Sequence, residues 1–397
     1  MAREFTFKHV AFAWALVLIF ASHCSTFGQD LAEEQLQSYA LEIHGSVIRS
    51  LDFSPDSRIV AVGIHGSYKD ETGTRNSAGI AVWSLESRQL VAKSVFDSGT
   101  SPRDYWSYEP KFLHYMPDGR RLVVYEKGAL KVFDTTSLKE TSSIDLGLPP
   151  QSGLESAPHP WVVDMNVAPE GNKVAVLITY LPTYKSGKLR IYDVETSKIV
   201  WEWSFDEDVN GYSVSFSPNA TKIAIAMPQA RRGSDLIVLD INSNRPVLRL
   251  TDKAEPVARA VFATNDALLT VSEWQFGHMK RGSIKFWDVN SGKVMRQITG
   301  PPDGVHYYLD LSRGGEHLLG YVGAEKRVEY FSKSVDQRFR IWELPSGKVV
   351  ATSPDIARPN QSELPKLRLS PNGNNVIVYW PTSGAARVFG LAREAIN

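Results

Sequence analysis

The chain has 397 residues, 43% of them hydrophobic and 22% charged, and its 44 basic and 44 acidic residues give a formal net charge of zero. That composition is globular and excludes a disordered chain. The charge balance favours neither nucleic acid nor an anionic membrane surface as a partner.

The first residues read as an export signal. Arg3, Lys8 and His9 make a basic start, Val10–Ala21 is an uncharged apolar run, and Ser22–Gly28 is small and polar. An apolar run this short falls below the ~20 residues that span a bilayer, and the pattern predicts cleavage after Gly28. Residues 1–28 are therefore expected to leave the mature protein. The alternatives are an uncleaved anchor and a lipid on Cys24, the one cysteine. A mature chain without cysteine has neither disulfide nor thiolate chemistry, which points to a secreted or periplasmic protein of a bacterial envelope. Residues 29–38 form a polar lead-in.

From Tyr39 onward the chain repeats itself. An apolar strand ends in an aromatic or large apolar residue, usually followed by a polar or acidic one: Trp83-Ser84, Phe133-Asp134, Tyr192-Asp193, Leu239-Asp240, Trp287-Asp288, Trp342-Glu343 and Phe389-Gly390. Successive instances lie 50, 59, 47, 48, 55 and 47 residues apart. Ahead of each lies a turn: Ser54-Pro55-Asp56-Ser57, Met116-Pro117-Asp118-Gly119, Ala168-Pro169-Glu170-Gly171, Ser217-Pro218-Asn219-Ala220, Ala263-Thr264-Asn265-Asp266, Ser312-Arg313-Gly314-Gly315 and Ser370-Pro371-Asn372-Gly373. Proline fixes φ at the second turn position, and the Asp, Asn and Gly that follow tolerate the tight backbone.

Two markers in fixed order, seven times over, resemble the WD40 repeat: four strands, with the turn between strands a and b and the Trp-Asp at the end of strand c. Only Trp287-Asp288 is a literal Trp-Asp, and no Gly-His opens the units. The resemblance implies an all-β, seven-bladed propeller over residues 39–397, with four-stranded antiparallel blades. In the first unit strand a is placed at Val47–Phe53, b at Arg58–Ile64, c at Gly79–Leu85 and d at Gln89–Phe96. The last unit has no strand d of its own. Tyr39–His44 alternates as an edge strand should and is expected to complete that blade and close the ring.

The a–b and c–d turns are short and share one face. The long connections, including His65–Ala78 and Gly323–Gln337, fall on the other, where recognition is expected. The candidate contacts there are the aromatic residues Tyr68, Tyr105, Trp106, Trp161 and Trp274, and three dibasic pairs, Arg231-Arg232, Lys280-Arg281 and Lys326-Arg327. Aromatic rings give large contact area, and a cationic arc suits an acidic surface. The expected partner is a protein or an acidic glycan, bound by a monomer.

Catalytic motifs are missing: no Gly-x-Ser-x-Gly, no His-Glu-x-x-His, no phosphate-binding loop, and no cofactor fingerprint. His65, His278 and His306, with Asp70, Glu273 or Asp303, would be the residues of an alternative hydrolase, lyase or metal site at the channel mouth. The first reading is an exported interaction scaffold without chemistry.

Overall fold

A computed structural model of the chain describes residues 36–41, 47–70, 73–97, 112–148, 159–181, 187–205, 213–229, 233–252, 257–272, 283–299, 304–328, 331–344, 346–356 and 365–391. These residues form strands and turns and contain no helix. The first strand in the chain is β1 (Gln37–Leu41). Blade 1 follows, with β2 (Val47–Phe53), β3 (Ile59–Asp70), β4 (Gly73–Ser84) and β5 (Leu90–Asp97). Blade 2 is β6 (Phe112–Tyr115), β7 (Arg121–Glu126), β8 (Ala129–Asp134) and β9 (Glu140–Asp145). Blade 3 is β10 (His159–Val167), β11 (Lys173–Leu181), β12 (Gly187–Asp193) and β13 (Lys198–Phe205). Blade 4 is β14 (Ser213–Phe216), β15 (Lys222–Gln229), β16 (Gly233–Asp240) and β17 (Arg245–Asp252). Blade 5 is β18 (Val257–Phe262), β19 (Ala267–Ser272), β20 (Ser283–Asp288) and β21 (Lys293–Thr299). Blade 6 is β22 (Gly304–Leu311), β23 (His317–Val328), β24 (Phe331–Glu343) and β25 (Val349–Thr352). Blade 7 has β26 (Lys366–Leu369), β27 (Asn375–Tyr379) and β28 (Ala386–Gly390), and takes β1 as its fourth strand.

The fold is therefore the expected one: seven antiparallel four-stranded sheets. The first strands of the blades, β2, β6, β10, β14, β18, β22 and β26, touch in cyclic order and ring a central axis. The closing strand begins and ends earlier than the expected Tyr39–His44, because Gln37 and Ser38 pair with Gly390 and Phe389, and Tyr39 pairs with Val388. Residues 42–46 lie outside the described ones.

Each sequence marker has a physical reason. In six blades the aromatic or large apolar residue sits at a β-bulge between strands c and d, at Trp83, Phe133, Tyr192, Leu239, Trp287 and Trp342. The bulge turns a large side chain between sheets; Trp83, Phe133, Tyr192 and Trp342 are each no more than 5% exposed. The acid after it caps the c–d turn. Asp134, Asp193, Asp240 and Asp288 each accept the N–H three residues on, at 2.6 to 2.7 Å. These bonds hold all four carboxyls below their ordinary pKa. In the one literal Trp-Asp blade, the Trp287 indole also donates to the buried Thr270 hydroxyl at 2.9 Å.

The a–b turns are closed by an N–H···O=C bond from the fourth turn residue to the first in six blades. That fourth residue is left-handed in all six, with φ between 56° and 85°, and is glycine in four of them. These turns also nest against one another around the ring. Gly119 packs on Pro55 and Gly171 on Pro117, each on the turn of the blade before. The Asn219 N–H reaches Asn265 Oδ1 at 3.0 Å, and the Asn372 N–H reaches Ser57 Oγ at 3.1 Å. On this face turns therefore interlock across blade boundaries.

Gly315 separates two costs. It is left-handed, and an added Cβ would lie 2.7 Å from the Ala263 carbonyl oxygen of the neighbouring blade. At Gly147 the backbone is equally left-handed, but a Cβ would meet nothing. Gly147→Ala is expected to cost about 1 kcal/mol, the strain of a left-handed alanine. Gly315→Ala is expected to cost clearly more, in denaturant unfolding. Equal losses would contradict the turn-on-turn contact.

Candidate functional site

The residues singled out from sequence fall in three groups. Tyr105, Trp106, Arg231, Arg232, Trp274, Lys280 and Arg281 lie outside the described residues. Trp161 is on β10, the inner strand of blade 3, half-buried and opposite Thr179. Tyr68 is on β3 opposite Arg75, while Lys326 and Arg327 are on β23 opposite Lys333 and Ser332. The structure thus places Tyr68 in blade 1 and the Lys326-Arg327 pair in blade 6, and leaves Trp161 in a different part of the ring.

The connections His65–Ala78 and Gly323–Gln337, expected as loops, are for the most part paired strand. β3 and β4 have 12 residues each, and β23 and β24 have 12 and 13. In blade 2 the corresponding strands have 6 each. Both hairpins continue the ladder of the blade to a short reversal, Asp70 pairing with Gly73 and Val328 with Phe331. Polar composition hid the strands: these stretches carry no hydrophobic alternation from which pairing could be read. At ~3.3 Å per residue the extra six residues carry each hairpin about 20 Å further than blade 2. Blades 6 and 1 flank blade 7, whose β27 and β28 have only 5 residues each. Two long arms therefore stand on either side of a short blade.

The proposed histidine and carboxylate cluster is not formed by the residues that are described. His65, expected on a loop, lies in β3 opposite Val47 and is 1% exposed. His306 is within β22, Asp70 ends β3, and His278, Glu273 and Asp303 lie outside the described residues. Among the described residues no three His, Cys, Asp or Glu side chains converge as a metal site would need.

The inner strands hold a charged site that sequence reasoning passed over. In these strands, fully buried residues such as Ile48, Leu51, Met165 and Leu309 alternate with half-exposed polar ones. The half-exposed set faces the axial channel. Two residues ahead of the a–b turns stand Asp52, His114, Asn166, Asp310 and Arg368, with the buried Ser215 and the apolar Val261 as exceptions. Four residues ahead stand Asp164, Arg259 and Lys366, and Arg49 is the extra residue of the bulge in β2.

The carboxylates are committed to the fold. Asp52 accepts the Tyr115 N–H at 2.9 Å, Asp164 the Val214 N–H at 2.8 Å, and Asp310 the Leu369 N–H at 2.9 Å. Each bond joins the inner strand of one blade to that of the next. Asn166 does the same for the Phe216 N–H at 3.0 Å. Arg368 returns the link by donating to the Leu51 carbonyl at 3.3 Å, and stands 3.8 Å from Asp310. His114 lies 3.4 Å from Asp52. Burial pushes the Asp164 and Asp310 carboxyls up; Arg259 and the Val214 N–H oppose the first, and Arg368 and the Leu369 N–H the second.

The fold and this wall define the class of protein: a seven-bladed β-propeller with a charged axial channel. No family model matches the sequence, and no curated relative matches it. Solved structures with a similar course of the chain are numerous, at 1054 matching chains. One is a chain of the Kuenenia stuttgartiensis hydrazine synthase, with a TM-score of 0.59 and 14% identity, covering 90% of this chain and 98% of that one. A likeness at that identity carries the architecture and no activity.

His65 gives the fold a pH-dependent stability. Burial, reinforced by the Arg49 guanidinium, pushes its imidazole down to about 4 from an ordinary 6.5. Between those values the unfolded chain takes up a proton that the folded chain refuses, so acidification through this window removes stability. The difference corresponds to up to about 3 kcal/mol. Urea unfolding of wild type and His65→Gln at pH 7.5 and pH 4 is expected to show the larger acid loss in wild type. Parallel losses would contradict the assignment.

Proposed function

We propose that the protein is an exported interaction scaffold that binds another macromolecule, a protein or an acidic glycan, through the face carrying the long hairpins. The observation that supports this reading is the pair of arms, β3–β4 and β23–β24, rising on either side of short blade 7. Each hairpin is about twice as long as that of blade 2, and two-stranded ribbons are only marginally stable by themselves. Arms of this kind gain stability by being covered. Tyr68 is on one arm, and Lys326 and Arg327 are on the other. The interlocked turn face, by contrast, has little surplus backbone to offer a partner.

Export rests on residues 1–28 and their basic, apolar and small-residue sequence. The N-terminus of the protein isolated from its native envelope should then be Gln29.

The test of the binding reading shortens both arms to a two-residue turn, as blade 2 has at Lys127-Gly128. The shortened protein should keep its thermal transition within a few degrees. It should lose a partner that wild type retains in affinity capture from the envelope fraction, or lose binding to polygalacturonate. A shortened protein that binds the same partners with unchanged affinity would refute the reading.

A further inference from the structure

Each blade ends in an outer strand with one unpaired row of backbone N–H and C=O groups, and natural sheets protect such edges with charge, proline or shortness. Four of the outer strands carry exposed charge or proline: Lys93 in β5, Glu140 and Asp145 in β9, Arg245, Pro246 and Arg249 in β17, and Lys293 in β21. β25 and β1 are short, at 4 and 5 residues. β13 differs. Among the described residues it pairs with β12 alone, and it runs for 8 residues, Lys198–Phe205, with two tryptophans. Ile199 and Val200 at its start are 47% and 49% exposed. Its mid-strand charge, Glu202, is already met within the blade by Arg190 at 2.6 Å and Lys188 at 3.1 Å.

Beyond the bulge at Val200 the strand pairs regularly from Trp201 to Phe205. Successive side chains point to opposite faces. Trp201 and Trp203 share one face, half-buried, with ring centroids 6.4 Å apart and planes 13° from parallel. They pack on the core between blades 3 and 4 and stay partly open at the rim. Glu202 and Ser204 are exposed on the other face, directly opposite Arg190 and Lys188 of β12.

We propose that β13 pairs antiparallel with β13 of a second copy of this chain, about a two-fold axis at Trp203, so that two blades join into one sheet. Charge complementarity selects this occupant and this register. With Trp203 opposite Trp203, Glu202 of each copy lies opposite Ser204 of the other. One row across the joined sheet then reads Arg190 and Glu202, followed by Ser204 and Lys188 of the second copy. The row beside it is its two-fold mate. Each carboxylate thus has a cation on both sides, with only a small serine between it and the far one. An axis at Glu202 would instead set carboxylate against carboxylate, and an axis at Ser204 would leave the two Lys188 facing each other with no anion between. The chosen register also brings the Trp201 and Trp203 rings of both copies onto one sheet face, where cross-strand aromatic pairs stabilise. This dimer departs from the monomer expected from the sequence. Blade 3 carries neither long hairpin, so the contact stands whether or not the arms bind a macromolecule.

Sedimentation equilibrium of the full chain through the micromolar range should show monomer and dimer in reversible exchange. Hydrogen exchange of wild type should slow at the Trp201–Phe205 amides as concentration rises, and at no other outer strand. Two substitutions at one exposed position then separate this contact from general stickiness. Within its own blade Ser204 lies opposite Lys188, so Ser204→Glu suits the fold and Ser204→Lys opposes it. Across the dimer the signs reverse, because the introduced group meets Glu202 of the second copy. Ser204→Glu should therefore weaken dimerisation about tenfold or more, and Ser204→Lys should keep or strengthen it. A wild type that stays monomeric throughout, or that dimerises with unchanged exchange in β13, would overturn the proposal. So would a Ser204→Glu protein that dimerises as wild type does, or a Ser204→Lys protein that dimerises less. The wild-type measurements decide the matter without any variant that fails to fold.

Discussion

A blade of four strands is buried on both faces only if another blade lies on each side. Seven such sheets satisfy one another in a ring, and the ring has a single weak place, the junction where the first and last stretches of the fold meet. Here β1 lies along β28 over five register pairs, Gln37 to Leu41 against Gly390 to Ala386. The pairing caps the outer edge of β28 and sets Leu41, 5% exposed, into a cluster with Ile48, Val62, Val388 and Tyr379. That cluster spans blades 7 and 1. Tyr39 adds a second tie, its hydroxyl donating to the Leu85 carbonyl at 3.4 Å and its ring lying 4.7 Å from the Arg88 guanidinium carbon. Closure therefore bonds strand to strand and also fastens the last blade to the first.

The two faces of the disc answer to different constraints. On the turn face a–b turns rest on their neighbours, so a change at Gly315 or Gly171 is felt across a blade boundary. The inner strands repeat this logic one layer deeper, through carboxylate and amide side chains that reach the next blade's backbone. Hydrogen bonds to a charged acceptor contribute about 1.5–3 kcal/mol each, so these links hold inner strands in place that are only four residues long in β6, β14 and β26. On the opposite face the described residues include two long hairpins, β3–β4 and β23–β24. Rigidity on one side and reach on the other is the arrangement that suits recognition.

Much of this is written plainly in the chain. The turn tetrads and the pairs that end strand c mark the blades because they mark backbone events: a left-handed residue closing the turn in six blades, and a bulge in six, with a capping carboxylate after it in four. Strand a of blade 1 falls at Val47–Phe53 by either route. The arms were not legible, since His65–Ala78 has the polar composition of a loop and pairs only because the blade beneath starts the ladder. The channel was legible in principle. Asp52, Asp310 and Arg368 stand two residues ahead of their turns, and Asp164, Arg259 and Lys366 four ahead, in strands otherwise apolar. Aligning the repeats on the turn would have shown a column of charge where a β-propeller keeps its axis. The register of β1 is set by its partner strand and could not be fixed to the residue from its own alternation.

Joining the two closing strands covalently tests the ring most directly. Ala40 and Arg387 are directly paired and exposed, so an Ala40→Cys, Arg387→Cys double variant with Cys24→Ser should form a disulfide under mild oxidation. Oxidised protein should keep its near-ultraviolet spectrum and unfold at a higher temperature than the reduced form, since closing so long a loop restricts the unfolded chain. Two free thiols after oxidation of the folded protein, or cross-linking only between separate chains, would show that the closing strand lies elsewhere.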